Sequence, residues 1–483
     1  MEQAVIQPGR GGAVVGLPLG EIFTVASEYE RAGRLDDAER LVGHILAAYP
    51  SQPDALHLGG IIAFRRKRYD ESLGRLQGAI QHGVDTPLYL RNICEVYRVL
   101  GRMDEALATA RRAVAMAPAD PHCLHNLAVI HYHRLEPDAC LGAARQALAL
   151  DPMLPAAHFA AAEALLLKGE MEQGWEEYDW RFRIGGIQTP IPATDKPQWN
   201  GEALPSGTLL LVADQGFGDA IQFMRYIPWV AARCPNLAIA ASAELAPLLR
   251  QMAPNAPIFQ RWDQCPAFSA YITLSGLPRL HGTRLENVPW TGAYLHSKPD
   301  RRAAWADRLA TLLPAGYTRV GVAWAGRPTH NNDRNRSVSL QALRALGNVP
   351  RVALVSIQKG ATANQAGDWF GRAPLVGLGP EIGDYDDTMA ILDNLDLLVT
   401  VDTSVGHLAG AMGRPAWLML ARVPDWRWLL DREDTPWYPS HRLFRQTEDC
   451  SWAELVERLA RAVPPFMNSV KAASPDSMDG LSA

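Results

Sequence analysis

The chain has 483 residues, too many for one hydrophobic core, and implies two or three. It is 48% apolar and 20% charged, which excludes a disordered or fibrous chain. With 47 basic against 52 acidic residues and a net charge of −5, the bulk charge gives no general argument for nucleic acid or an anionic membrane, and any basic site must be local.

Residues 1–20 read as a flexible N-terminus, since Met1-Glu2-Gln3 opens without the basic region and apolar core of an export signal. From Ile22 to Arg183 the chain repeats itself with a period of 34. Gly33, Gly101 and Gly169 stand two periods apart. Pro50, Pro118 and Pro152 hold a second phase, with Val84 in the remaining place. Ala38, Ser72, Ala106 and Cys140 hold a third, always small, and Ile45, Ala79, Ala113 and Ala147 a fourth. Asn92 and Asn126 are also one period apart. Four phases in register predict tetratricopeptide repeats over residues 21–184, in about five units. Each unit is then two antiparallel helices, with Gly at the turn, small residues where helices touch, and Pro closing the second helix.

Such an array stacks into a solenoid whose concave face takes peptides, so a protein acceptor or partner is expected there. The same repeats could instead dimerise the chain or brace the next domain. His122/His125 and His131/His133 fall at helical repeat positions and read as surface or packing residues rather than metal ligands. The last unit ends with Trp175, Tyr178 and Phe182 on one helix face, suited to sealing the array. Residues 185–207, rich in Pro and Gly, read as a linker.

Beyond the linker, strands alternate with helical patterns. Leu209–Val212 precedes a helix at Ala220–Arg233, Leu237–Ala241 precedes Glu244–Met252, and Ala270–Leu274 follows. A second series runs Arg319–Trp324, Val352–Ile357, Leu395–Val401 and Ala416–Leu420. This alternation predicts two α/β domains, 208–300 and 301–466, each a parallel sheet with helices on both faces. Ligands of such sheets sit beyond the C-terminal strand ends, so the loops Asp214–Asp219, Ala325–Ser337, Gln358–Ala361 and Asp402–Gly406 should share one crevice.

Two of these loops feed helices. Leu395–Val401 delivers Asp402, Thr403, Ser404, Val405, Gly406 and His407 to a helix start, where unpaired N–H groups and the positive dipole end suit a phosphate or diphosphate. An ordinary turn capped by Thr403 or Ser404 is the plainer alternative. Leu209–Val212 likewise runs into Asp214-Gln215-Gly216-Phe217-Gly218-Asp219. Gly216, Gly218 and Gly406 would let backbone approach a ligand closely. Arg327, Arg334, Arg336 and His330 could neutralise a departing diphosphate. Asp219 is the candidate general base, with an N-cap as its other reading. Asp402 either does similar work or orients its loop.

Asp384-Tyr385-Asp386 matches the DxD pattern by which some glycosyltransferases hold a divalent metal. Charge at a helix N-terminus explains Asp384, Asp386 and Asp387 as well, and no metal is expected. Trp426, Trp428, Trp437 and Tyr438 either stack on a sugar or base or pack an interface. Trp452–Val463 is amphipathic, and residues 467–483 read as a disordered tail. No apolar run reaches membrane-span length. Six cysteines without a CxxC pair argue against a disulfide framework or zinc site and favour a cytoplasmic location.

The segments DQGFGDAIQFMRY, GVAWAGRPTHNNDRNRSVSL, SIQKG, VDTSVGHLAGAMGRP, PDWRWLL and WYPSHRLFRQ together resemble bacterial tetratricopeptide-repeat proteins with a heptosyltransferase-like domain of glycosyltransferase family nine. Repeat-containing flagellin glycosyltransferases look similar in architecture. The resemblance implies a fold of class α + α/β, a tetratricopeptide α-solenoid followed by a GT-B fold of two Rossmann-like domains. It implies inverting, metal-independent transfer of a sugar from a nucleotide-sugar donor, with no other cofactor.

Gly218-Asp219 matches the family's Gly-Asp base. Asp402, Thr403, Ser404, Gly406 and His407 match the turn that contacts donor phosphate and sugar. Arg336, with Arg334 as rival, corresponds to the basic residue of the first loop of the second domain, and Gln358 sits where a related segment meets the nucleotide. Asp214, Phe217 and Ser404 depart from the residues common in relatives and leave the donor open. Three functions are compatible with this: transfer to Ser or Thr of a protein acceptor, transfer to lipopolysaccharide or another glycan, or a scaffold that has lost catalysis.

Overall fold

A computed structural model of the chain describes residues 18–185, 194–289, 292–330 and 332–473. Most of the expected N-terminal segment, and the expected tail from 474 onward, lie outside the described residues. Contacts divide the chain into two compact units, Met1–Leu165 and Leu166–Ala483.

The first unit is helical: α1 (Leu19–Arg31), α2 (Leu35–Ala48), α3 (Pro53–Arg65), α4 (Tyr69–His82), α5 (Pro87–Val99), α6 (Met103–Met116), α7 (Pro121–His133), α8 (Pro137–Leu150) and most of α9 (Pro155–Lys168). The small-residue phase does what its period implies. Ala38, Ser72, Ala106 and Cys140 are fully buried, as are Ala79, Ala113 and Ala147, so paired helices approach closely. Gly60 shows how closely, since a β-carbon there would stand 2.7 Å from Leu76 Cγ. Pro50, Pro118 and Pro152 each directly follow a helix C-cap. A fifth phase, not among the four expected, starts the first helices: Pro53, Pro87, Pro121 and Pro155 open α3, α5, α7 and α9. Proline at the first helical position gives up an N–H that has no helical partner anyway. Gln52, Thr86 and Asp120 cap three of these helices through their side chains.

The turn phase is more demanding. Gly33, Gly101 and Gly169 take φ of 76°, 77° and 84°, and the intervening positions Lys67 and Leu135 take the same left-handed backbone at 60° and 59°. The repeat therefore imposes the conformation even where a side chain resists it, at about 1 kcal/mol or more per residue.

The second unit opens with α10 (Met171–Tyr178) and a 3-10 turn, Asp179–Arg183. Residues 194–207, expected as linker, are packed: Gln198 bridges Tyr271 and Trp199 is buried. Two parallel sheets follow. The first holds β1 (Leu209–Val212), β2 (Leu237–Ala240), β3 (Ile258–Phe259) and β4 (Ala270–Thr273) in the order β3-β2-β1-β4. The second holds β5 (Thr318–Ala323), β6 (Val352–Ser356), β7 (Leu375–Gly377), β8 (Leu397–Val401), β9 (Ala416–Leu420) and β10 (His441–Arg445) in the order β10-β9-β8-β5-β6-β7. That order reverses direction between β5 and β8, the doubly wound arrangement in which ligands sit beyond the two central strand ends. The core strands β5, β6, β8 and β9 are almost wholly buried, as sheets covered on both faces require.

The single helix expected over Ala220–Arg233 is three short pieces: Phe217–Phe223, a 3-10 turn Met224–Tyr226, and Ile227–Ala231 with Pro228 in its first turn. The final helix, Trp452–Ala473, runs past position 467, where the sequence suggests a tail.

Candidate functional site

The site is built from the loops after β1, β5, β6 and β8, all in the second unit. Phe217–Phe223 begins at Gly216 with no side-chain cap. Asp219 lies in its first turn and does not cap it. Its Oδ1 accepts instead from Arg427 Nη2 at 2.6 Å. Gln215, in the amide orientation that satisfies both ends, donates to the same Oδ1 at 3.3 Å and accepts from Tyr178 Oη at 3.1 Å. Oδ2 turns toward Gly216, where a β-carbon would stand 3.1 Å away.

At the end of β8, Thr403 is the N-cap of the helix Ser404–Ala411 but gives it no side-chain bond; its hydroxyl meets that of Thr400 at 3.1 Å. The N–H groups of Ser404 and Val405 therefore have no intrahelical acceptor. Ser404 accepts from Tyr385 Oη at 3.1 Å. Arg336 reaches across from the loop after β5, and its Nη1 donates to the Asp402 carbonyl at 3.0 Å. Gly326 makes room for it, since a β-carbon there would meet Arg336 Nη2. Arg334 lies exposed on the same short helix, Asp333–Arg336.

Four residues expected to contact ligand, Gln358, His407, Gly218 and Gly406, are met by protein. Gln358 is buried, and its Oε1 accepts from the N–H groups of Trp324 and Ala325, both at 3.0 Å. Its Nε2 donates to the carbonyls of Ala325 and Lys359, so it shapes the loop after β5 from within. His407 is buried and its Nδ1 meets Tyr438 Oη at 2.9 Å. Burial first, then the positive charge of Arg427, pushes its pKa well below the usual value, so the ring is neutral. At Gly218 and Gly406 protein stands close: His407 Cδ2 would lie 2.7 Å from a β-carbon on Gly218, and Thr400 Cγ2 3.3 Å from one on Gly406.

Sequence reasoning read Trp426 and Trp428 but passed over Arg427 between them, in a 3-10 turn that grips both acidic site residues. Arg427 pairs with Asp219, and Trp428 Nε1 donates to Asp402 Oδ2 at 2.9 Å. Burial alone would lower the Arg427 pKa. The carboxylates of Asp425, Asp219 and Asp402 outweigh that and hold it above its usual value. Asp425 Oδ1 lies 3.2 Å from Arg427 Nε. Its partial burial, ahead of the charge on Asp402, pushes its carboxyl up against the pull of Arg427. The turn is followed by Leu429 at φ 54° and Asp431 at φ 51°, backbone that such residues seldom adopt. The only signal in the sequence was an arginine set among aromatics in PDWRWLL.

The aromatic cluster is packing, not a stacking platform. Trp426, Trp428, Trp437 and Tyr438 are buried. Trp175 of α10 meets Trp426 and Trp437 edge-on at 5.2 and 6.4 Å, and its Nε1 donates to the Thr283 carbonyl at 3.0 Å. Arg181 stacks on Tyr178 and Phe182 and reaches the ends of β1 and β4, where it donates to Ser275 Oγ and pairs with Asp214 at 3.5 Å. The DxD aspartates are likewise engaged: Asp384 caps its helix, Asp386 pairs with Lys298, and Asp387 takes Trp305 Nε1 and Arg301. Among the described residues no group of three or more His, Cys, Asp or Glu is placed to hold a metal ion. No described helix is long and apolar enough to cross a membrane.

Comparison with known proteins first defines the helical part. The tetratricopeptide-repeat family model matches residues 25–83 and 60–121, so this region carries tetratricopeptide repeats. The chain is also similar to Protein FlbA of Caulobacter vibrioides, 29% identical over 347 residues that cover 65% of this chain and 56% of that protein. The chain thus spans little more than half of that relative. The matched share exceeds the first 165 residues, so the likeness reaches into the second unit. Among solved structures, YrrB, described as a TPR protein with an unusual peptide-binding site, is 18% identical, covering 34% of this chain and 84% of its own, with a TM-score of 0.28. A thermophilic TPR protein of Thermus thermophilus, TTC0263, is 19% identical, covering 34% of this chain and 96% of its own, with a TM-score of 0.32.

Proposed function

We propose that the second unit is a glycosyltransferase of the GT-B fold that moves a sugar from a nucleotide-sugar donor onto a hydroxyl of a protein acceptor held by the repeats. The carrying observation is that Gly218, beside Asp219, lies against His407 of the turn whose Asp402 carbonyl Arg336 holds, at loops that leave the C-terminal ends of two parallel sheets. The resemblance to repeat-containing flagellin glycosyltransferases suggests a Ser or Thr hydroxyl of flagellin as the acceptor.

In this reading the acceptor oxygen attacks the anomeric carbon while Asp219 takes its proton. The bond from that carbon to the diphosphate breaks, its electron pair leaves with the nucleoside diphosphate, and the anomeric configuration inverts. The growing negative charge is met by the N–H groups of Ser404 and Val405, by the helix dipole, and by Arg336. These are protein groups already oriented before substrate arrives, so the step calls for no metal.

Calorimetric titration of the full chain with UDP, GDP, ADP and CMP tests the donor site. Binding of one of them, weakened about tenfold or more in Arg336→Ala, is expected for loss of a charge-assisted phosphate contact. Folded wild-type protein that binds none of the four sinks the reading.

A further inference from the structure

We infer that Arg427 is the positioning residue for Asp219, holding one carboxylate oxygen so that the other faces the acceptor hydroxyl; this rests on the glycosyltransferase reading above. Asp219 belongs to the lobe of β1–β4, whereas Arg427 belongs to the lobe of β5–β10. Their 2.6 Å pair therefore exists only while the two lobes are together. The Arg427 side chain is 8% exposed and that of Asp219 20%, so the carboxylate keeps partial access to solvent. The next residue, Trp428, holds Asp402. A single 3-10 turn thus sets the spacing between the proposed base and the proposed phosphate turn, and closure of the lobes and orientation of the base become one event.

Around the pair, Asp425 Oδ1 approaches Arg427 Nε from the same lobe, and Gln215 donates to Asp219 from the other. Arg427 is the cation in direct contact with Asp219.

The experiment measures nucleotide release from UDP-, GDP-, ADP- and CMP-linked sugars by the full chain. Arg427→Gln is expected to lower kcat by about 100-fold with little change in donor KM, as misplacement of a catalytic group does. Arg427→Lys should recover part of kcat. Where Arg427→Gln fails to fold, Asp425→Asn/Arg427→Gln removes the carboxylate left without a partner and gives the same readout. A wild-type enzyme that works while Arg427→Gln keeps its kcat, or is impaired through donor KM instead, overturns the assignment of Arg427 alone. A folded wild type that releases nucleotide from none of the sugars overturns the glycosyltransferase reading, and this assignment with it.

Discussion

A β-carbon built on Gly218 would stand 2.7 Å from Cδ2 of His407, so the first turn of a helix in one lobe rests directly on a ring buried in the other. Both residues belong to loops that the sequence marks for ligand, yet here they meet each other. The two lobes are joined at the same strand ends that form the candidate site.

Gly218→Ala would ordinarily favour a helix. Here the neutral His407 ring is fixed by Tyr438 and packed against Trp428, so it cannot swing away. The substitution should destabilise the second unit by about 1–3 kcal/mol. Urea unfolding monitored at the buried tryptophans reads the change, and nucleoside diphosphate affinity should fall in the same variant.

Arg181 and Asp214 give a contrast in the same unit. The Asp214 side chain is 1% exposed, and burial, ahead of the opposing pull of Arg181, pushes its carboxyl up. Arg181→Met leaves that carboxylate without its cation and should cost about 3–5 kcal/mol. Asp214→Asn keeps a hydrogen-bonding group beside Ser275 and should cost markedly less. Equal losses in chemical denaturation would show that the cation is not what Asp214 requires.

The buried histidines make the second unit sensitive to acid. His407 is held well below 6.5, and His441 is lowered to about 4, in each case by burial first. Below pH 6.5 the unfolded chain takes up protons that the folded state refuses. Their contribution is therefore complete above 6.5 and is lost as pH falls, at up to about 1.4 kcal/mol per pH unit for each. Asp425 titrates in the opposite sense, so the comparison with a variant isolates the effect. His407→Gln should lose less stability than wild type between pH 7 and pH 5 in urea midpoints.

In the repeats, Lys67 sits exposed in a left-handed turn that glycine occupies one period away on either side. Lys67→Gly should stabilise the first unit by up to about 1 kcal/mol, the relief of φ strain less the extra freedom of the unfolded chain. A lower melting temperature in the variant would contradict that.

How much was legible in the sequence depends on what each element answers to. The repeat register was visible because each helix pair meets the same neighbours, so Ala38, Ser72, Ala106 and Cys140 answer one local demand again and again. The central strands β1, β2, β5, β6, β8 and β9 were visible as apolar runs because both their faces are covered; β4 was read as well, though it lies at an edge. The strands that went unread, Ile258–Phe259, Leu375–Gly377 and His441–Arg445, lie at the sheet edges. An edge strand has one neighbour, and these are short or carry charge, so their pattern is weak.

The sequence by itself determined the repeats, the alternation of strand and helix, and the loops in which Asp219, Arg336 and the Asp402–His407 turn lie, because all of these are encoded by residues near one another in the chain. Only the tertiary structure decided that Gln358 and His407 serve the protein's interior, and that Arg427 lies on Asp219. Those outcomes depend on pairs of residues as much as 208 positions apart, and no local pattern records which distant group will satisfy a buried charge or amide.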